Sequence, residues 1–105
     1  MTGNEALVLR ESLLPRVLDM GARVVERSLG LFGGMVGPFC LETICTDRLE
    51  FVCFEISARI VAGTNLFPSG SFYADYVEPG MSTGRRIARE LVLARKTGRL
   101  DEVLS

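Results

Sequence analysis

Histidine is absent from this sequence of 105 residues, which excludes histidine triads, zinc-hydrolase sites and imidazole acid–base chemistry. Cysteine is scarce: Cys40, Cys45 and Cys53 are odd in number and contain no C-x-x-C pair, so neither a disulfide framework nor a zinc cluster is indicated. They read as buried thiols in a reducing compartment. Lysine is reduced to Lys96, close to the C-terminus, so the usual point charge for a nucleotide phosphate is missing. No block of one charge occurs either. Twelve basic residues are scattered among thirteen acidic ones, which removes the electrostatic footprint of a nucleic-acid binder. No apolar run approaches about 20 residues, and no basic stretch followed by an apolar core opens the chain, so neither membrane nor secretion is expected. The expected location is cytoplasmic.

What is present is an apolar content of 48% with 24% charged residues, the composition of a globular protein with extensive burial. The length predicts one domain over residues 1–105. Ala6-Leu7-Val8-Leu9 is a short apolar run that predicts a buried strand over residues 5–10. A helix should follow, with Ser12 as N-cap and Pro15 in the first turn, running to about Ser28 until Gly30, Gly33 and Gly34 break the pattern. Residues 35–46 and 50–59 are rich in β-branched and aromatic side chains around a Thr46-Asp47-Arg48-Leu49 turn, which predicts a hairpin. Residues 62–81 read as one long loop. A second helix begins near Ser82 or Thr83 and stops at Gly98, with a further turn over 100–104. The fold class is therefore α+β, an antiparallel sheet with a central hairpin packed against two helices.

Two carboxylates stand out in the hairpin. If it closes around Arg48-Leu49, or as a four-residue loop including Asp47 and Glu50, Cys45 faces Val52 and Glu42 faces Glu55. Strict alternation then puts Cys40, Glu42, Ile44 and Thr46 on one face with Phe51, Cys53, Glu55, Ser57 and Arg59. Opposed carboxylates repel unless a proton or cation intervenes. Magnesium favours one or two carboxylates supplemented by phosphate oxygens, so the pair fits a metal-phosphate site. The alternatives are a slipped register, or a solvated face on which the glutamates point into water near Arg59.

The stretch Gly37-Pro38-Phe39-Cys40-Leu41-Glu42, followed by Phe54-Glu55-Ile56-Ser57-Ala58-Arg59-Ile60-Val61-Ala62-Gly63-Thr64-Asn65, resembles the C-terminal part of the archaeal formate-dependent AICAR ligases. Arg10-Glu11-Ser12-Leu13-Leu14-Pro15 and Ser82-Thr83-Gly84-Arg85-Arg86-Ile87-Ala88-Arg89-Glu90 extend the resemblance over nearly the whole chain. It implies a C-terminal ATP-grasp subdomain, lacking the N-terminal domain and first ATP-grasp subdomain of the longer enzymes. The implied reaction joins formate to the amine of AICAR with ATP and Mg2+ (or Mn2+), through formyl phosphate, in purine biosynthesis. ATP, formate and AICAR are then the expected ligands, and an N-terminal partner chain or a homo-oligomer would complete the site. The alternative is a non-catalytic truncated paralogue or assembly module that keeps only the subdomain fold.

ATP-grasp proteins hold the metal through an acidic residue on one strand and a Glu-x-Asn-x-Arg motif on the next. By that likeness Glu42 and Glu55 are the metal ligands, Ser57 stands at the asparagine position, and Asn4 lies in a segment resembling the substrate-contacting strand. Arg59 is the candidate catalytic residue, bracing a phosphate or pinning a glutamate; a structural salt bridge with either glutamate is the competing role. Catalysis of this type works by positioning and charge stabilisation, in keeping with a chain that has no histidine.

Three further features invite a functional role and have simpler readings beside it. Gly63-Thr64-Asn65 could begin a loop that closes over substrate, or merely cap a turn. Ser82-Thr83-Gly84, with Arg85, Arg86 and Arg89 nearby, could receive a phosphate at a helix start, although an Arg86–Glu90 pair on a solvated face explains the charges as well. Gly30-x-x-Gly33-Gly34 lacks the trailing lysine and hydroxyl of a phosphate loop and reads as a linker. Cys40 and Cys53 read as packing residues.

Overall fold

The computed structural model describes residues 7–62 and 72–104. Asn4 and the Gly63-Thr64-Asn65 segment lie outside them. The chain divides into two compact units, one formed by Leu7–Met35 with Phe39–Ile60, the other by the described parts of Val36–Pro38 and Val61–Ser105.

The first unit carries one long helix and one hairpin. Residues 7–10 belong to no strand, and Leu7 is 84% exposed. An apolar run becomes a strand only where a neighbouring strand completes its ladder, and no such neighbour is present among the described residues. Instead, a 3-10 turn over Glu11–Leu13, closed by the Leu13 N–H on the Arg10 carbonyl (2.9 Å), leads into helix α1, Leu14–Phe32. Ser12 is therefore no cap, because it lies within that turn. Pro15 falls in the first helical turn as expected, where its missing N–H has no intrahelical partner to lose.

Helix α1 runs four residues beyond Ser28. Gly30 is absorbed inside it, and the stop comes at Gly33, whose φ of 84° is the left-handed conformation that a side chain resists. The Gly33 and Gly34 N–H groups return to the Leu29 and Ser28 carbonyls at 3.2 and 3.0 Å, which satisfies the helix end.

The sheet is a two-stranded antiparallel hairpin of β1, Cys40–Cys45, and β2, Phe51–Ser57. Its strands are shorter than the sequence pattern predicts, and its turn has three residues. Thr46 and Glu50 close the ends through the Thr46 N–H and the Glu50 carbonyl (2.9 Å), the Leu49 N–H donates to the Thr46 carbonyl (2.9 Å), and Leu49 takes a left-handed φ of 59°. The Glu50 N–H adds a bond to Thr46 Oγ1 (3.1 Å). This is a type of three-residue hairpin loop that ends on a left-handed residue, usually glycine. Helix α1 meets the hairpin where Arg16 Nη1 donates to the Leu49 carbonyl (3.1 Å), and a groove of about 460 Å³ separates α1 from Ile56 of β2.

The second unit holds α2 (Ala74–Val77), α3 (Thr83–Lys96) and α4 (Leu100–Leu104). Helix α2 interrupts the stretch predicted as one long loop. Helix α3 starts as expected, with Ser82 Oγ accepting from the Arg85 N–H (3.1 Å), and Arg86 pairs with Glu90 at 2.6 Å. Glu78 and Arg89 form a second ion pair that ties the segment before α3 to its exposed side.

Burial departs most from expectation. Among the described residues only Ala94 (6%) and Ser28 (3%) are buried, while Leu29, Phe32, Phe54 and Ile56 each keep half or more of their surface exposed. Full burial of such a side chain is worth about 1.5–3 kcal/mol, and each forgoes half or more of that. The composition that predicts a large core is spread over open surfaces here.

Candidate metal centre

Glu42 and Glu55 are partners in the ladder. The route to that pairing differs from the predicted one. Beside the turn, Cys45 faces Phe51, Ile44 faces Val52 and Thr43 faces Cys53, one step away from the predicted register. Continued unbroken, that pairing would set Glu42 against Phe54 and send Glu55 to the opposite face. A bulge between Glu42 and Thr43 leaves Phe54 without a partner, and beyond it Glu42 faces Glu55, Leu41 faces Ile56 and Cys40 faces Ser57. Two irregularities, a three-residue turn and one extra residue in β2, cancel. The alternation assumed from Phe51 through Ser57 does not survive the bulge, so Phe51 and Cys53 leave the glutamate face.

Opposed Cα atoms in such a ladder lie about 4.5–5.5 Å apart, which brings both carboxylates within reach of one ion. Glu42 is half-buried and Glu55 exposed. Ser57 Oγ donates to Glu55 Oε1 (3.4 Å), so the residue at the motif's third position touches one of the two carboxylates. Arg59 follows in a bend after β2 and donates through Nη1 to the Ile60 carbonyl (3.1 Å). None of the ion pairs among the described residues joins Arg59 to either glutamate.

Cys40 registers the field of this cluster. Burial pushes its thiol pKa up, the Glu42 and Glu55 charges push it further, and Arg59 opposes them. The thiol stays protonated and is a poor nucleophile, in keeping with a packing role. The charges of Glu42, Glu55 and Arg59 are thus all felt at Cys40, where β1 begins.

The donor set matches a cation that completes its shell elsewhere. Among the described residues no group of three or more His, Cys, Asp or Glu side chains is arranged to hold a metal, so a protein cage is not provided here. Two carboxylates on a rigid strand pair are what a magnesium ion shared with phosphate oxygens requires.

Sequence reasoning missed the groove beside the hairpin. The exposed Arg16, Arg23 and Arg27 line it together with the half-buried Met20 and Val24. Their separations of three, four and seven residues place them on neighbouring stripes of one helix, a signal legible in the sequence. The Arg16 contact with the turn carries no such signal. No helix among the described residues is long and apolar enough to cross a membrane.

Comparison with known proteins extends these observations. A family model described as a domain of unknown function, DUF1297, matches residues 1–105. A protein of Methanothrix thermoacetophila named 5-formaminoimidazole-4-carboxamide-1-(beta)-D-ribofuranosyl 5'-monophosphate synthetase is 70% identical over 105 residues, which are all of this chain and 30% of that protein. Proteins of the same name from Methanosarcina barkeri and Pyrococcus horikoshii are 66% and 60% identical, again over the whole of this chain and over 30% and 32% of their own lengths. The chain thus spans about a third of the relatives it matches.

Proposed function

The chain belongs to the DUF1297 domain family, and from that premise we propose that it is the C-terminal portion of an ATP- and magnesium-dependent ligase that joins formate to AICAR, giving FAICAR, in cytoplasmic purine biosynthesis. The observation that carries this reading is the pairing of Glu42 with Glu55 in a chain 70% identical to a synthetase of matching name. The fold is read as an ATP-grasp subdomain, whose remaining parts belong to the rest of the synthetase.

In this reading Glu42 and Glu55 would hold Mg2+ (or Mn2+), which would supply positive charge for the phosphates of ATP. A bound divalent ion neutralises the charge that builds between nucleotide and acceptor during phosphoryl transfer. The chain's own contribution is positional. The bulged hairpin holds the carboxylates side by side, the Ser57 hydroxyl orients Glu55, and Arg59 supplies a cation that braces a phosphate once substrate draws it from the Ile60 carbonyl. Asn4 contacts the substrate. No general base is required of this portion, because activation of formate needs an aligned phosphate acceptor and stabilised charge.

The test is a graft of this chain in place of the matching 105 residues of the Methanothrix thermoacetophila synthetase. The graft should form FAICAR from AICAR in the presence of formate, ATP and magnesium. Glu42→Gln and Glu55→Gln should each lower kcat at least about 100-fold and weaken magnesium-dependent ATP binding in isothermal titration. Unchanged nucleotide binding in both variants would remove the metal assignment.

A further inference from the structure

The groove between α1 and β2 offers a surface that the carboxylate pair does not use. Its apolar lining includes the half-buried Met20 and Val24 of α1 and Ile56 of β2, and its volume is about 460 Å³. From Arg16 to Phe32 the wall follows α1 for roughly 24 Å at 1.5 Å per residue, the length of a four-turn helix. The rim is basic. Arg16, Arg23 and Arg27 line it with a single carboxylate, Asp19, which Arg23 already holds at 2.9 Å. None of the ion pairs among the described residues includes Arg16 or Arg27. An apolar lining beside uncompensated arginines selects an occupant that is apolar on one side and acidic along its edge.

We propose that this groove receives an acidic amphipathic helix from the part of the synthetase that this chain does not span. The proposal rests on the functional reading above. It follows from three features: a lining that stays open while its residues are apolar, a rim whose charge asks for carboxylates, and relatives of which 70% of the length lies outside this match. A second copy docked groove to groove would bring the same arginines against the rim and repel. Helix-in-groove docking is read through anchors at spacings of three and four residues on the docked helix, so the occupant should carry its apolar residues at that spacing.

The groove also adjoins the metal ligands. Ile56 lines it while its neighbour Glu55, past the bulge and in regular ladder, faces Glu42 from the other side of the strand. A helix seated on Ile56 would hold β2 from behind and fix the carboxylate pair, so docking positions the ligands without touching the ion.

Two measurements on the graft test this. With benzoylphenylalanine at Val24, irradiation should link the groove to a peptide outside the grafted residues, and mass spectrometry should identify it as apolar on one face and acidic along its edge. A link confined to a second molecule's grafted residues, or to a segment without acidic residues, overturns the proposal. Separately, Arg27→Glu should lower the melting midpoint of the graft by roughly 1–2 °C while leaving that of the isolated chain unchanged. An equal effect in both, or none in the graft, overturns it as well. A graft that makes the expected cross-link but no FAICAR would retain the docking surface and reject the ligase reading.

Discussion

Glu42 and Glu55 face each other in the hairpin ladder only because the extra residue Phe54 offsets a three-residue turn. Two like charges held at directly opposed positions destabilise a strand pair by about 0.2–1 kcal/mol. The arrangement persists at the cost of that repulsion.

Removing one charge should stabilise the metal-free chain. Glu42→Gln or Glu55→Gln is expected to raise its unfolding free energy by up to about 1 kcal/mol in denaturant titration, and to abolish any rise in melting midpoint on adding magnesium. A drop in metal-free stability would mean that the carboxylates are not in repulsive contact.

Leu49 carries a left-handed backbone that glycine adopts without a clash. Leu49→Gly should stabilise the hairpin by about 1 kcal/mol, because the steric relief of about 1–2 kcal/mol exceeds glycine's entropic cost of about 0.5–1 kcal/mol. The Arg16 guanidinium donates to the backbone carbonyl of residue 49, so that bond is retained. Urea unfolding of the two proteins decides the matter.

Gly33 is the mirror of that case. A Cβ there would meet nothing within 4 Å, yet φ is +84°, so the cost of Gly33→Ala is conformational and not steric crowding. A loss of about 1–2 kcal/mol is expected. Gly30→Ala, inside α1 with open space around it, should instead gain about 0.5–1 kcal/mol.

The ion pair between Glu78 and Arg89 predicts a pH dependence. The hydrogen bond from Arg89 holds the Glu78 carboxyl below its ordinary value of 4.5. A depressed carboxyl adds stability that is present above the ordinary pKa and is lost as pH falls through the depressed one. The second unit should therefore weaken on acidification below about pH 4.5, and Glu78→Gln should flatten that part of the curve. An unchanged curve would show that the pair is screened by solvent.

Cys40 reports on the carboxylates. Its thiol is held up first by burial and then by Glu42 and Glu55, so alkylation at neutral pH should be slow. In the Glu42→Gln, Glu55→Gln double variant it should quicken, since less negative charge opposes the thiolate. Mass spectrometry of the alkylated chain resolves Cys40 from the exposed Cys45.

Local rules determined much of this protein from the sequence. The Thr46–Leu49 turn, the helix start near Ser82, the Arg86–Glu90 pair, the stop before Gly98 and the hairpin itself depend on residues close along the chain, whose dihedral preferences and short hydrogen bonds act without distant partners. The opposition of Glu42 and Glu55 was also legible, though by a register that the turn does not adopt. Tertiary structure decided what depends on remote neighbours. It set the bulge at Phe54, because an extra residue in one strand is defined only against its partner. It left residues 7–10 out of any strand, since a strand is a property of a pair. It also decided which apolar residues are covered: composition counts them, but only packing gives them something to be buried against.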